Sequence, residues 1–464
     1  MISSSSASVF RKHLAEAKLG GASNIDLPLA DVYTRWYEQF GESWLMMQPA
    51  RLASRAAKGL DVGEVRAAME AAAEDLEALL LPFAKVAIEE HRAAGDMLVV
   101  ATTSPEPFVA PFAERLGFDA CIGTRWIEAE GVFTGGMLGG FVWGRAKADA
   151  VGSWAEINDV DLSASSAYSD SYFDAPLLDM VGHPNAVNPD LRLRTTAMLK
   201  GWPIRSFDKA PGIWKVAGRE LQEWSRPLMR PELVSAYADV RIEGVENIPD
   251  EGPAIVVFNH RSYFDPTIMG LVIAKAGRNI RGLGKKEVFD VPVVGRVMKA
   301  MGGIRVDRGT GSDEPLEAAI RSLRGGDLLM LAPEGTIPRG PAFFEPELKG
   351  RWGAARLAAA TEAPVIPVGL WGTEKVWPRS ARLPRVAVGD DRPVVTATVG
   401  APVKLKYKSP NADTKRIMKA ISALLPPEAH ERRTPTAEEL ALTYPPGYAG
   451  DPRAELDRRP GSDT

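Results

Sequence analysis

Cysteine is almost absent: the chain has one, Cys121, in 464 residues. A single thiol excludes an internal disulfide framework and a cysteine-based metal cluster, and it fits a reducing compartment. Long apolar runs are missing as well. Nowhere do about eighteen apolar residues follow one another, the length that would read as a membrane-spanning helix. The opening Met1-Ile2-Ser3-Ser4-Ser5-Ser6 lacks the basic region and apolar core of a secretion signal. Excess charge of either sign is also lacking. Lys and Arg number 56 against 60 Asp and Glu, a formal net charge of −4, so the total gives no reason to expect nucleic-acid binding, and any basic surface must be local. These absences point to a cytoplasmic chain, or to one peripheral at the inner face of the cell membrane without spanning it. With 45% hydrophobic and 25% charged residues the composition is globular, and the length alone suggests about two to three domains.

What is present is organised around one stretch. Ile255-Val256-Val257-Phe258 is an apolar run suited to a buried strand, and it leads into Asn259-His260-Arg261-Ser262-Tyr263-Phe264-Asp265. The pair Asp265-Pro266 reads as a helix N-cap with proline at the first helical position. His260 and Asp265 meet only if the turn between them folds back. The carboxylate would then hold one imidazole nitrogen and leave the other as a base able to deprotonate a substrate hydroxyl. Taken alone, the same residues allow a plainer reading, in which Asp265 caps a helix and His260 is a surface turn residue.

Further motifs decide between these readings. The His-x4-Asp element resembles the first motif of the glycerolipid acyltransferases typified by 1-acylglycerol-3-phosphate acyltransferase. Gly302-Gly303-Ile304-Arg305-Val306-Asp307-Arg308 resembles the second motif, and Ala332-Pro333-Glu334-Gly335-Thr336 the third, with Lys349-Gly350 trailing it. Val365-Ile366-Pro367-Val368 resembles the fourth. The likeness covers roughly Val240 to Val399 and departs from the family twice: Ile337 stands where an Arg is usual, and Arg305 where an aromatic residue is common. The resemblance implies that His260 is the general base and Asp265 its orienting partner. It assigns Arg308, Glu334, Gly335, Thr336 and Lys349 to substrate binding, with Arg339 or Lys349 standing in for the missing Arg. Acyl transfer would be direct, from an acyl-CoA or acyl carrier protein donor to lysophosphatidic acid, giving phosphatidic acid without a cofactor. Cys121 lies outside this region and speaks against a thiol nucleophile.

The first half has another texture. Leu60 to Glu90 carries helical apolar spacing interrupted by Pro82, while Met97-Leu98-Val99-Val100-Ala101 and Ser165-Ser166-Ala167-Tyr168 read as buried strands ending in polar turns. This half resembles the haloacid-dehalogenase-like phosphatases of the phosphoserine-phosphatase branch, with the helices before Pro82 as cap. The likeness puts Thr102 at the phosphate-binding hydroxyl, Lys147 at the lysine, and Asp170 with Asp174 at the magnesium-binding acidic motif. The family's nucleophile lies in an Asp-x-Asp-x-Thr motif ending its first strand, and none precedes Ile2-Ser3-Ser4. An aspartyl-phosphate needs that carboxylate. Either the domain is a degenerate scaffold, or Met1 is an internal start cut at the seam after the motif. In both cases the polypeptide is expected to lack phosphatase activity and a central strand, leaving sheet edges exposed. Mg²⁺ would bind only with the motif restored.

The expected architecture is α/β throughout. Residues 1–206 form a haloacid-dehalogenase-like Rossmannoid domain with a helical cap and its first strand missing. Residues 207–235 form an amphipathic linker helix, 236–425 an α/β glycerolipid acyltransferase domain, and 426–464 a disordered tail. In the linker Trp214, Leu221, Trp224 and Leu228 recur among basic residues, a face for lipid headgroups or for the acyltransferase core. Arg281 to Lys286 with Val291 to Met301 form a second cationic and apolar candidate surface. Another lysophospholipid acceptor, or an idle membrane-docking scaffold, stand as the alternative functions.

Overall fold

The computed structural model describes residues 2, 6–19, 47–209, 213–216, 219–285, 289–290, 292–300, 302–306, 314–387 and 392–448. The chain divides into two compact units, residues 1–211 and 212–464.

In the N-terminal unit the Ala- and Glu-rich stretch forms helices Val62–Ala78 and Pro82–Ala94. Asp61 caps the first by accepting the Glu64 N–H, and Pro82 starts the second, where a missing N–H costs nothing. The strands are β1 (Val99–Pro105), β2 (Ala120–Ala129), β3 (Val132–Leu138), β4 (Ser166–Ser169), β5 (His183–Val187) and β6 (Ile204–Arg205). They form two separate three-stranded sheets, ordered β1-β2-β3 and β4-β5-β6. Within the described residues β1 and β4 are both edge strands.

The C-terminal unit begins with the hairpin β7 (Lys215–Val216) and β8 (Arg219–Glu220). The expected amphipathic helix is not formed. After the hairpin come only the helix Leu221–Ser225 and 3-10 turns at Arg226–Leu228 and Pro231–Val234. Pro227 and Pro231 interrupt helical hydrogen bonding, and Glu220 and Gln222 are pulled inward by polar partners instead of lining a helix face.

Seven further strands make the main sheet: β9 (Asp239–Glu243), β10 (Ala254–Phe258), β11 (Ile280–Lys285), β12 (Ile304–Val306), β13 (Leu328–Leu331), β14 (Val365–Trp371) and β15 (Val394–Val399). Their order is β12-β11-β13-β10-β14-β15-β9. All pairings are parallel except β14 with β15. Strand β10 is central and wholly buried, as a continuous apolar run in a sheet covered on both faces must be. Val256 and Phe258 pack with Ile268, Met269 and Val272 of helix Asp265–Lys275. Ile255 and Val257 face the other layer, with Leu323, Leu357 and Ile417 of helices Glu314–Arg324, Gly353–Thr361 and Pro410–Ser422.

Arg281, expected on a surface, is buried inside β11. Its guanidinium forks onto Glu220 at 2.8 and 2.9 Å and reaches Asp327 at 3.0 Å. The same side chain explains Gly302. That residue has φ +83°, and a Cβ there would stand 2.6 Å from Arg281 Cδ. Lys286, Val291 and Met301, named with Arg281 in that candidate surface, lie outside the described residues.

The chain beyond Leu425 is also ordered over 426–448. Helix Ala437–Leu442 carries a Thr436/Glu439 capping box, and Thr443 Oγ1 accepts the Gly340 N–H at 2.8 Å. The Pro-rich composition suggested disorder, but these caps and a long-range contact anchor the segment. Residues 449–464 lie outside the described residues. No described helix is long and apolar enough to cross a membrane.

Replacing Arg281 by Ala would leave Glu220 and Asp327 buried without their counter-charge. The expected loss is about 3–5 kcal/mol of unfolding free energy, read from the denaturant midpoint of the purified protein.

Candidate active site

Register sets the site. Val257 pairs with Leu331 of β13 and with Pro367 of β14, so the C-terminal ends of β10 and β13 lie side by side while β14 continues past them to Trp371. The residues that follow those ends, Asn259-His260 and Pro333-Glu334, therefore converge, at the sheet end where open α/β folds bind ligands. Asn259 fastens the end of β10 to β14. Its buried amide donates to Leu370 O at 2.9 Å and accepts from Leu370 N at 2.7 Å.

The turn after Asn259 folds back on a single oxygen. Asp265 Oδ2 accepts from His260 Nδ1 at 2.7 Å, from Arg261 N at 2.7 Å and from Ser262 N at 2.8 Å. Asp265 is the first residue of its helix, with Phe264 at the cap position, so the expected N-cap role is corrected. Its carboxylate serves the preceding turn because two of that turn's amides point at it. With Nδ1 donating, Nε2 keeps its lone pair. The His260 side chain is 23% exposed, so a substrate can reach it, while Asp265 is completely buried.

Glu334 lies under this turn. Its Oε2 accepts the His260 backbone N–H, and the side chain is buried. Burial pushes its carboxyl up to about 8, against the pull of the His260 amide and of Arg261, with Asp265 adding to the rise. Gly335 takes φ +71° in the tight turn that carries Glu334, a conformation suited to glycine. Thr336 follows it, half-buried. Arg351 N donates to Pro333 O at 2.8 Å, which ties the loop bearing half-buried Lys349 to the same turn. Arg308 lies outside the described residues.

Sequence reasoning missed several participants. Arg261 forks onto Glu374 at 3.1 and 3.2 Å, and its guanidinium is sandwiched 4.3 Å from the ring centroids of both Phe343 and Trp371. Burial works against ionisation of Glu374, but Arg261 holds its carboxyl below the usual range. Arg379, buried, donates to the carbonyl of Ile337, the position where the family usually has Arg. Arg339, one of the expected stand-ins, instead lies 5.3 Å over the Tyr448 ring. No local pattern marks Glu374 or Arg379, because their partners are far away in sequence.

In the N-terminal unit Lys147 and Asp174 come together. Lys147 Nζ meets Asp174 Oδ1 at 2.7 Å, and Asp174 Oδ2 accepts from Ser169 Oγ at 2.7 Å, with all three side chains buried. Thr102 on β1 accepts the Ser104 N–H at 3.2 Å, and Asp170 is exposed on the turn after β4. Magnesium needs a near-octahedral set of oxygens. Here an ammonium occupies the Asp174 carboxylate, and among the described residues no group of three or more His, Cys, Asp or Glu gathers. As arranged, these residues do not fit the ion. Cys121 sits on β2, where burial and then the nearby Glu106 and Glu114 push its thiol up to about 12, so it is inert as a nucleophile.

One unit thus carries a parallel-rich sheet with a His-Asp pair after its central strand, and the other carries two small sheets. Residues 239–371 match the family model of the acyltransferases, and residues 2–179 that of the haloacid dehalogenase-like hydrolases. The chain carries a haloacid dehalogenase-like domain followed by an acyltransferase domain. It is 40% identical over 157 residues to the inhibition of morphological differentiation protein of Streptomyces azureus, covering 33% of this chain and 55% of that one. It is 42% identical over 117 residues to a phosphoserine phosphatase of Mycobacterium tuberculosis, covering 25% of this chain and 38% of that one. The chain thus spans little more than half of the first relative and less than half of the second. Among solved structures it is similar to the 1-acyl-sn-glycerophosphate acyltransferase of Thermotoga maritima, at 23% identity, with 44% of this chain and 79% of that chain covered and a TM-score of 0.33.

Glu334 makes a pH signature. In the unfolded chain its carboxyl loses its proton in the ordinary glutamate range, and in the fold only near 8. The unfolded state therefore binds fewer protons across that window, and stability falls as pH rises through it. In Glu334→Gln that decline should vanish, seen as a flatter melting-temperature profile between about pH 5 and 9. Parallel profiles for the two proteins would mean that Glu334 does not titrate there.

Proposed function

We propose that the C-terminal domain transfers a fatty acyl group from a thioester, acyl-CoA or acyl carrier protein, to the free hydroxyl of 1-acylglycerol 3-phosphate, forming phosphatidic acid. The observation that carries this reading is the buried Asp265 carboxylate holding His260 Nδ1 while the accessible Nε2 keeps its lone pair. Nε2 takes the hydroxyl proton, the oxygen attacks the thioester carbonyl, and the C–S bond breaks as the tetrahedral intermediate collapses. The imidazolium returns its proton to the leaving thiolate. Neither an acyl-enzyme nor a cofactor takes part. Asp265 orients the ring and stabilises its charged form, and Glu334 fixes the His260 backbone. The resemblance supports Arg308 as the partner of the acceptor phosphate and Gly335, Thr336 and Lys349 as the acceptor side of the site. A lipid acceptor places the chain peripherally at the inner face of the cell membrane.

The test is acyl transfer from a long-chain acyl-CoA to 1-acylglycerol 3-phosphate in detergent micelles, comparing the chain with His260→Ala. The variant should lose at least about a hundredfold in kcat. Equal product from both proteins would remove His260 as the base. Absence of product from either, with acyl carrier protein donors and other lysophospholipids also tried, would overturn the acyltransferase reading.

For the N-terminal domain we propose that this polypeptide does not turn over phosphomonoesters, since Lys147 and Ser169 already occupy Asp174. Phosphate release from phosphoserine or phosphatidic acid should equal that of an Asp170→Ala control. Turnover that disappears in the control would refute this.

A further inference from the structure

The C-terminal segment reaches both stretches of chain that hold the His260 turn from outside. One is the 3-10 turn Gly340–Phe344, whose Phe343 stacks on the Arg261 guanidinium at 4.3 Å. The other follows β14, where Trp377 O accepts the Ser262 hydroxyl at 2.6 Å. Residues 432–448 grip the two together. Thr443 Oγ1 donates to Leu440 O at 2.7 Å, which leaves its oxygen to accept the Gly340 N–H at 2.8 Å. Arg339, just before the 3-10 turn, lies 5.3 Å over the Tyr448 ring, and Arg433 lies 5.0 Å over Phe344. Arg432 meets Glu345, just after the turn, at 3.6 Å. On the second stretch Ser380 N donates to Leu442 O at 3.2 Å.

Arg261 links these contacts to the imidazole. Its backbone N–H is one of the three donors on Asp265 Oδ2, while its side chain is fixed by the Glu374 carboxylate and by the rings of Phe343 and Trp371. A guanidinium forked onto a carboxylate between two rings has one position. With one ring withdrawn it can tilt, and the tilt pulls on the amide that Asp265 needs in order to hold His260 Nδ1. Phe343 in turn stays in place only if its turn does. A 3-10 turn of five residues has weak internal hydrogen bonds, so its anchors are the contacts with Thr443, Tyr448 and Arg433.

We propose that Phe343, Arg433, Thr443 and Tyr448 are positioning residues for His260, with the C-terminal segment acting on the imidazole through Phe343 and Arg261. They set the direction of the base and not the affinity for the acceptor, so kcat bears their loss and KM does not. The turnover part of the test rests on the acyl-transfer reading; the spectroscopic part does not.

The test is a double-mutant cycle on acyl transfer by the full chain, joined to ¹⁵N spectra of the neutral His260 ring, assigned with His260→Ala. Arg433→Ala/Tyr448→Ala removes one half-exposed and one half-buried side chain. It should lower kcat at least about fivefold, with the acceptor KM within about twofold of wild type. Phe343→Leu, which keeps bulk but offers the guanidinium no π face, should do the same, and Phe343→Tyr, which keeps the ring, should restore the rate. The tail pair combined with Phe343→Leu should cost no more than Phe343→Leu alone, because both act through one contact. Wild-type spectra should show one tautomer, protonated at Nδ1, and in the tail pair and Phe343→Leu the Nδ1 and Nε2 shifts should converge as the tautomers mix. Three results would overturn the proposal: wild-type kcat in the tail pair, tail and Phe343 effects that multiply, or a single Nδ1-protonated tautomer kept in the variants. A wild type that shows this tautomer but transfers no acyl group would sink the acyl-transfer reading alone, and the spectra of the variants would then decide the positioning role.

Discussion

The candidate site rests on how many donors one buried oxygen collects. Asp265 Oδ2 receives the His260 ring and the amides of Arg261 and Ser262, and this convergence forces the turn after β10 to close into a loop. A carboxylate with no access to water needs such donors, because an ionised group left unpaired in the interior is very costly. The stability of the turn and the orientation of the His260 ring are thus one requirement. Ring tautomer, side-chain direction and helix start all follow from the donors gathered on Asp265 Oδ2.

That turn depends in turn on the sheet. The alternation along β10 sends Val256 and Phe258 to one helical layer and Ile255 and Val257 to the other, which fixes its register against β13 and β14. A slip by one residue would exchange the two faces and carry His260 away from Glu334. Asn259 guards the register at the point where the strand ends, since both polar atoms of its amide are taken up by Leu370. The Arg261–Glu374 pair, held between Phe343 and Trp371, fastens the outer side of the same turn.

Strands β10 and β13 were legible because an unbroken apolar run has only one use in a sheet covered on both faces, and the motifs at their ends name the chemistry. The meeting of His260 with Asp265 followed from their spacing and the resemblance. Partners distant in the chain were not legible: Glu374 lies 113 residues from Arg261, and nothing in Gly372-Thr373-Glu374 sets it apart from an ordinary helix start. The linker misled for a related reason. Helical spacing of Trp and Leu counts only side chains along one element, whereas Glu220 and Gln222 are drawn inward by partners on β11, and the backbone follows them. The tail misled because composition registers prolines and charges but not the caps and contacts, Thr436 with Glu439 and Thr443 with Gly340, that order residues 426–448.

Two carboxyls hold His260, Asp265 at the ring and Glu334 at the backbone amide, which raises a question of charge. Were both ionised, each would favour the imidazolium, and in the proposed reaction the proton taken from the acceptor would be slow to leave for the thiolate. Burial answers it at Glu334. Three donors converge on Asp265 Oδ2, while Glu334 receives one backbone amide and is pushed up to about 8, so near neutral pH it is mostly uncharged. The neutral carboxyl still accepts the His260 N–H and keeps the backbone in place, but adds little to the field at the ring. In the proposed transfer His260 is thus held from two sides, its ring by Asp265 and its backbone by a largely neutral Glu334, an arrangement that suits a group that must both take a proton and give it back within a single turnover.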